Sequence, residues 1–599
     1  MTENLQSDIL STRTVRRFMP ACMVYALVQS MTFLVDTVLA GHFLGEEAVA
    51  GVAIGLPIIG MMLAVTAMVM QGGYLKMIQC LGKSDTDSYN RIFSITMSLT
   101  IFIDLLFLAL CLFGTSILVK IGGGAKATAQ AAAYGDLYIK TACLMVLFFA
   151  VGSVFQLVSA TFGYQTDRML SSVVNIVVNV VVSIVAIQFL SDEYKIAGLG
   201  IGSAVAAFAQ MILAFIMMKR KHIKVRFRFY AINKKNIVDG LDCLRRGAPA
   251  SIDSVLDGAC SSVVNNIILS VFSNGTSVLA LFAMIKTINT VAKPVGRGAL
   301  YASEPLFGIL DGERDNDGIC RTFKVSLKWG ILFGAIVAAV LIALQYPILS
   351  FYGLVGIGDA HLGLILVAIS SMALVVPFMF NAVYESTGHL MLALAVSVIP
   401  DSILYPILVA LLGKAIGVTG IWIALSFASI PFFIIFYLVF MIIHKKPVVP
   451  LARMLVLQKY EDLDTALDIS IPIESESVSF VSEKLQRYFL EKETSSKIAY
   501  ISALCMEEVA ADYIAYRKKT GNIKDKSYMD IKAFRDPDKI EIILRNYDDP
   551  YDPLVIDTDD ASRDEFSKIG ITMVQKIASD IHYSYAYHLN VVSIKIPLS

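Results

Sequence analysis

The stretch Val35-Asp36-Thr37-Val38-Leu39-Ala40-Gly41 places one carboxylate inside an apolar run, and Val264-Asn265 repeats its start about 230 residues later with asparagine in the acid's place. The repeat extends beyond that pair. Val35-Asp36, Phe43 and Ala48-Val49 align with Val264-Asn265, Phe272 and Ser277-Val278, while Leu81-Gly82-Lys83 and Arg91-Ile92-Phe93 align with Asp311-Gly312-Glu313 and Arg321-Thr322-Phe323. Two matches at nearly one offset predict two lobes of similar build. A charged side chain costs at least ~2.5 to 3.5 kcal/mol at the centre of a membrane helix, so one retained there is expected to face a partner or a wet cavity.

Composition sets the class. With 56% hydrophobic and 17% charged residues, the chain is too apolar for an ordinary soluble protein. About twelve apolar runs precede residue 446, each near the ~20 residues that a spanning helix needs. The prediction is an all-α polytopic membrane protein with twelve transmembrane helices in two pseudo-symmetric six-helix lobes. The first run follows a polar start and is flanked by Arg13, Arg16 and Arg17, so no cleavable signal peptide is expected.

The formal net charge of zero hides a split: residues 1–450 hold 31 Lys+Arg against 24 Asp+Glu, and residues 451–599 hold 19 against 26. The dense charge of the second region marks a soluble α+β domain. The expected division is a first lobe over 1–230, a second over 231–450, a linker over 451–469 and a C-terminal domain over 470–599. Basic residues from Lys219-Arg220-Lys221-His222 to Arg245-Arg246 follow the sixth run, and His444-Lys445-Lys446 follows the last. Positive loops stay cytoplasmic, which predicts a plasma-membrane protein with both termini and the C-terminal domain in the cytoplasm. The expected partners are membrane lipid, a small-molecule substrate and a cytoplasmic protein on the C-terminal domain; nucleic acid is not expected. The eight cysteines form no CxxC or Cys/His cluster and read as packing residues, so no metal site is predicted.

Polar residues inside the runs are the candidate functional groups. Asp253, Asp257, Ser261 and Asn265 fall on one stripe of span seven at helical spacing. Lys286, Lys293 and Arg297 in span eight could neutralise those aspartates, or the aspartates could face a cationic substrate or form a second coupling site. Ser171, Asn175, Asn179 and Ser183 make a stripe on span five that either lines a cavity or holds helices together. Asp104, Glu385 and Asp401 lie nearer span ends, with no partner legible in sequence. Met61, Met62, Met68 and Met70 could form an adaptable drug-binding wall, although such residues more often face lipid or core.

Residues 10–446 resemble the multidrug and toxic compound extrusion (MATE) family. The resemblance is carried by Asp36 to Gly41 with Leu44-Gly45, Ala48-Val49-Ala50 and Pro57, then by Gly198-Leu199-Gly200-Ile201-Gly202-Ser203-Ala204. It continues in Glu304-Pro305-Leu306-Phe307-Gly308 with Asp311-Gly312, and in the stretch from Gly417 to Trp422. Glu304 stands where the family often carries Gln. The resemblance implies two six-helix bundles around a central cavity, alternating access, and export of organic, cationic or amphipathic molecules against inward flow of H⁺ or Na⁺. Asp36 matches the family's first-span carboxylate, for which a coupling-ion role is proposed; Asn265 cannot cycle a proton. Flipping of a lipid-linked substrate and a sensor role for the membrane part stay open as alternatives.

In the C-terminal region, residues 477–491 and 498–517 read as amphipathic helices followed by alternating strands. This region resembles the GHKL ATPase-like fold of sensor histidine kinases and anti-sigma-factor kinases. The carrying pieces are Glu507-Glu508 with Asp512, the segment from Asn546 to Leu554, Gly570-Ile571-Thr572-Met573-Val574, and Asn590. By that resemblance Glu508, Asp512, Asn546, Lys568 and Gly570 mark the nucleotide site. Asp512 replaces the family's Asn, Asn546 its Asp, Asp548 a Gly, and Lys568 another Gly. The erosion argues against ATP and Mg²⁺ turnover and for a domain that binds a partner or a nucleotide without turnover, an active ATPase or kinase being the alternative. Transport is expected to need no cofactor beyond the coupling ion. The acidic run from Asp548 to Asp564 reads as a solvated loop.

Overall fold

The apolar runs fold as long helices because a spanning segment can satisfy its own backbone hydrogen bonds only that way. The computed structural model describes residues 3–83, 85–223, 225–230, 233–273, 275–351, 358–457, 466–520, 528–555 and 565–598; some side chains within them, those of Asp253 and Asp257 included, lie outside the description. The first lobe contains α1 (Glu3–Phe43), α2 (Glu46–Gly82), α3 (Thr86–Phe113), α4 (Ala129–Thr161), α5 (Gln165–Phe189) and α6 (Lys195–Arg220). The second contains α7 (Lys234–Val271), α8 (Gly275–Gly312), α9 (Asn316–Ala343), α10 (Asp359–Ser386), α11 (Leu390–Ile416) and α12 (Val418–Phe427 with Ser429–His444).

Eight of these, among the described residues, are long and apolar enough to cross a membrane, or ten if the bent α1 and α12 each count as one span. The sequence predicts twelve. The shortfall lies in α7 and α8, each 38 residues long. Asp239, Asp242, Arg245 and Arg246 on α7 and Lys286, Lys293, Arg297 and Glu304 on α8 dilute their hydropathy. The protein is an integral membrane protein in either count.

Glycine sets the closest approaches in the first lobe. On α6, a Cβ at Gly200 would overlap Thr141 of α4, and one at Gly202 would overlap Ser183 of α5. Small residues let membrane helices approach at backbone distance, so this glycine-rich stretch packs α6 against both neighbours and delivers Ser203 to the lobe interior. α4 is started by Thr128, whose hydroxyl accepts from Ala131 N at 3.1 Å. The second lobe has its own core, with Phe282 stacked on the fully buried Trp422 at 6.4 Å between centroids.

The membrane unit comprises Val15–Cys80 and Asp87–Val456, and a second compact unit comprises Leu457–Ser599 with Met1–Thr14 and Leu81–Thr86. In the second, β1 (Leu467–Pro472), β2 (Tyr528–Arg535), β3 (Lys539–Asn546), β4 (Asp580–Ala586) and β5 (Leu589–Pro597) form an antiparallel sheet ordered β1-β2-β3-β5-β4. Ile531, Leu544 and Val592 share one register row, and Ala533, Ile542 and Ile594 the next. That face packs on α13 (Ser475–Glu491), α14 (Ser496–Thr520) and α15 (Glu565–Ile577). The alternation predicted from sequence thus has a physical partner on one face. β1 begins inside the stretch read as linker, because Leu467 pairs with Ala533.

Candidate functional site

Asp36 is 3% exposed in the interior of the first lobe. Its Oδ2 accepts from the Tyr138 hydroxyl of α4 at 2.7 Å and from the Ser203 hydroxyl of α6 at 2.8 Å. Its Oδ1 accepts from Asn179 Nδ2 of α5 at 3.2 Å. Ser183 in turn donates to Asn179 Oδ1 at 2.9 Å. One carboxylate therefore ties α1 to three other helices, and every described partner is a donor. Charge in such a place is held by hydrogen bonds rather than by a counter-ion. The site also sits just past a break in α1, whose segments Thr14–Thr32 and Val35–Phe43 meet at 43°.

The span-five stripe is buried throughout, and its members act as links. Gln156 donates to Ser171 at 2.8 Å, and Asn179 and Ser183 extend the Asp36 network. Asn175 is buried on the same face but does not line the central cavity. Asn265, aligned with Asp36 in sequence, is exposed on α7, so the structure does not place it in a cavity. Lys286 donates to Ser261 Oγ at 2.5 Å; Asp253 and Asp257, its expected partners, have side chains outside the described residues. Asp401 and Asp104, for which sequence named no partner, both have one: Lys293 lies 3.4 Å from Asp401, and Thr66 donates to the buried Asp104 at 2.6 Å.

Tyr138 and Ser203 were not singled out by the sequence as site residues. Ser203 is part of the glycine-rich stretch, where a small polar residue reads as packing, and Tyr138 is one aromatic among many on an apolar helix. A polar residue directly after a glycine contact was the available signal.

Between the lobes lies a cavity of about 720 Å³. Met61 and Met70 line it with Phe149 and Phe378, whereas Met62 is buried in the first-lobe core. Its polar end holds Tyr25, Gln71, Arg168, Arg297, Tyr301 and Glu385. Gln71 donates to Glu304 Oε1 at 2.7 Å, and Asn381 donates to Glu385 Oε1 at 3.1 Å. A polar seam joins the lobes near the ends of α2, α8 and α10. Lys76 pairs with Asp239 at 3.0 Å and Asp242 at 3.1 Å, and Arg91 with Asp239 at 3.1 Å. Gln79 accepts from Arg246 at 2.9 Å and donates to Asp311 at 3.0 Å and to the Ser386 carbonyl at 2.6 Å.

In the C-terminal domain the candidate nucleotide residues Asp512 and Asn546 accept hydrogen bonds from other side chains of the domain. Asp512 is 2% exposed and accepts from the Tyr551 hydroxyl at 2.7 Å. Asn546 Oδ1 accepts from Asn590 Nδ2 at 2.9 Å, and Tyr513 donates to Asp548 at 2.5 Å. Tyr551 stacks on Tyr516 at 3.7 Å between centroids. A Cβ at Gly570 would overlap the Glu508 carboxylate, so this glycine serves the approach of α15 to α14. Burial, with Glu507 alongside, pushes the Glu508 carboxyl up from its usual range. Lys568 lies on α15, where its carbonyl accepts from Thr572 at 2.7 Å. Asp512 Oδ2 and Asn546 Oδ1 thus each accept a hydrogen bond from within the fold. Of the acidic run, residues 556–564 lie outside the described residues.

Two helical lobes, a buried carboxylate joining four helices, and a cavity between the lobes define a polytopic membrane protein with an internal polar site. Residues 20–185 match the MatE family model. The Bacillus subtilis (strain 168) protein described as "Probable multidrug resistance protein YoeA" is 20% identical over 348 residues, covering 57% of this chain and 73% of that one. Among solved structures, an outward-facing multidrug resistance MATE family transporter aligns with TM-score 0.63 at 16% identity, covering 71% of this chain and 94% of that one. The Vibrio cholerae MATE transporter VcmN in its bent form gives 0.62 at 17% identity, covering 71% and 95%. At these identities the solved structures share the fold.

Proposed function

We propose that the chain is a secondary active exporter of amphipathic organic molecules, driven by inward proton flow through Asp36, with all twelve long helices, α7 and α8 included, crossing the membrane. The observation that carries this reading is the Asp36 carboxylate, buried and held by donors from α4, α5 and α6. A carboxylate accepts at both oxygens, whereas its acid must donate from one. Protonation therefore requires the Tyr138 or Ser203 hydroxyl to turn and accept, or to let go. Either change loosens α1 just beyond its break, which couples one proton to a helix movement. The all-donor surroundings favour H⁺ over Na⁺, since a bare cation needs oxygen acceptors pointed at it.

In the proposed cycle, cargo enters the central cavity from the cytoplasm while the lobes are parted there. The Lys76, Gln79 and Arg246 seam then closes that side, and cargo leaves outside as Asp36 takes up a proton. The basic loops support cytoplasmic termini. The C-terminal domain is a GHKL-like module that regulates through a cytoplasmic protein partner, a reading supported by the internal bonding of its Asp512 and Asn546. ATP with Mg²⁺ is expected to leave the melting temperature of the full chain unchanged; a saturable ATP-dependent rise would reinstate nucleotide binding.

The test is uphill efflux of a fluorescent amphiphile from proteoliposomes under imposed proton or sodium gradients, wild type against Asp36→Asn. Proton-driven export lost in the variant is the expected result. Export by a folded Asp36→Asn protein at the wild-type rate removes the coupling role.

A further inference from the structure

Among the described residues that line the central cavity, guanidinium groups outnumber carboxyl groups, which does not match the cations that the sequence resemblance suggests. Arg168, at the start of α5, lines it and is 6% exposed. Its guanidinium lies 3.9 Å from the Tyr25 ring centroid and 4.8 Å from that of Tyr301, and Nη2 donates to the Tyr25 hydroxyl at 3.0 Å. Aromatic faces hold the cation in place. No carboxylate is salt-bridged to it among the described residues, and its buried Nε has no hydrogen-bond partner among them. Arg297 of α8 supplies a second guanidinium to the same wall, one helical turn before Tyr301.

The acid in that wall is already engaged. Glu385 accepts from Asn381 at 3.1 Å, and Glu304 accepts from Gln71 at 2.7 Å. Among the described lining residues, Glu385 supplies one carboxyl group against the two guanidinium groups of Arg168 and Arg297. Among the described lining residues, an entering cation meets more positive than negative groups. An oxyanion meets a desolvated, pre-oriented N–H fork, the geometry that Arg offers to carboxylate and phosphate. The rest of the wall, including Met61, Met70, Phe149 and Phe378, suits an apolar body, and the volume suits a drug-sized molecule.

We infer that the cavity binds an amphipathic organic anion or zwitterion, its carboxylate, sulfonate or phosphate seated at Arg168 and Arg297 and its apolar body against the methionine and phenylalanine wall. The inference rests on the proposed export reading for its purpose, but binding without a gradient tests it independently of transport. The experiment measures equilibrium binding of three matched fluorescent probes, an aryl carboxylate, its neutral amide and its trimethylammonium analogue, to the full chain in neutral-lipid nanodiscs. The carboxylate is expected to bind tightest. Losing a hydrogen bond to a charged group should weaken it about tenfold or more in Arg168→Gln and in Arg297→Gln, with Arg168→Lys between, while the amide is unchanged.

Melting curves identify any variant that fails to fold, and the two arginines lie on different helices, so either alone suffices. Competition then separates the sources of the anion. Displacement of the carboxylate by short-chain phosphatidic acid in preference to soluble aryl phosphate supports a lipid-borne anion, and the reverse supports a free one. Tighter binding of the trimethylammonium probe, unchanged carboxylate affinity in folded arginine variants, or no binding by any probe would each overturn the inference.

Discussion

The two lobes descend from one repeat pattern, yet they treat the matched position in opposite ways. In the first, Asp36 is buried and receives three hydrogen bonds from three helices. In the second, Asn265 is exposed, and the described charged contacts include Lys286 with Ser261 and Lys293 with Asp401. Similar helix order therefore does not imply similar chemistry. The first lobe buries Asp36 and Asp104; the second buries Glu304 and Glu385, contributes Arg297 and Glu385 to the cavity wall and gives the acids of α7 to the interlobe seam. On the proposed reading the first lobe serves the driving ion and the second closes around cargo.

The largest expected effect separates the matched positions directly. Asp36→Asn should reduce gradient-driven transport to the level seen without a gradient. Asn265→Asp, at an exposed site, should leave the rate within about twofold. Proteoliposome flux measures both, and a severe loss in Asn265→Asp would show that the lobes share the coupling role.

Next in size are the groups that hold Asp36. Tyr138→Phe and Ser203→Ala each remove one donor from a charged acceptor, worth ~1.5 to 3 kcal/mol, and should slow proton-driven flux about tenfold or more. The double variant should lose less than the product of the two, because both hydroxyls serve one oxygen. Full additivity in a flux cycle would mean that they act separately.

These residues also show where sequence reading reached and stopped. Asp36 was legible because a charge in an apolar run is costly wherever the chain folds. Its partners stand 102, 143 and 167 positions away, and only helix packing brings them together. The span-five stripe was legible as a polar face, but whether it met water or another helix depended on α6, whose glycines bring it close. Arg168 was missed because it lies three residues after the start of α5, where a basic residue reads as a span flank. Glu304 was noticed only as a departure from Gln; its bond to Gln71 crosses between lobes and left no local trace.

Packing gives a third, smaller contrast. A methyl group at Gly202 would collide with Ser183 Oγ, whereas at Gly413 of the second lobe it would meet Phe272 at an ordinary 3.7 Å. Gly202→Ala should destabilise the protein by about 1 to 3 kcal/mol through overpacking, and it disturbs the Ser183-Asn179 link to Asp36 as well. Gly413→Ala should be neutral or stabilising by up to ~1 kcal/mol, since alanine favours the helix. Melting temperatures in one detergent decide the sign. Equal losses would mean that the second lobe is packed as tightly as the first.

The smallest effect is expected at Lys293 and Asp401, although an opposite-charge pair inside a membrane domain looks at first like the second lobe's answer to Asp36. Their side chains are 31% and 41% exposed and 3.4 Å apart, so water competes for both charges. A pair in that condition contributes less than ~1 kcal/mol, and removing one partner leaves the other solvated instead of stranded. Asp401 also lies in a π-helical turn, Ile399–Leu404, between Pro400 and Pro406, so the backbone there is set by the prolines and does not depend on the ion pair. Asp401→Asn should therefore change the melting temperature by no more than a few degrees and leave transport near wild type. If it instead abolishes proton-driven flux in a folded protein, the pair is a second coupling site and the division of labour between the lobes fails.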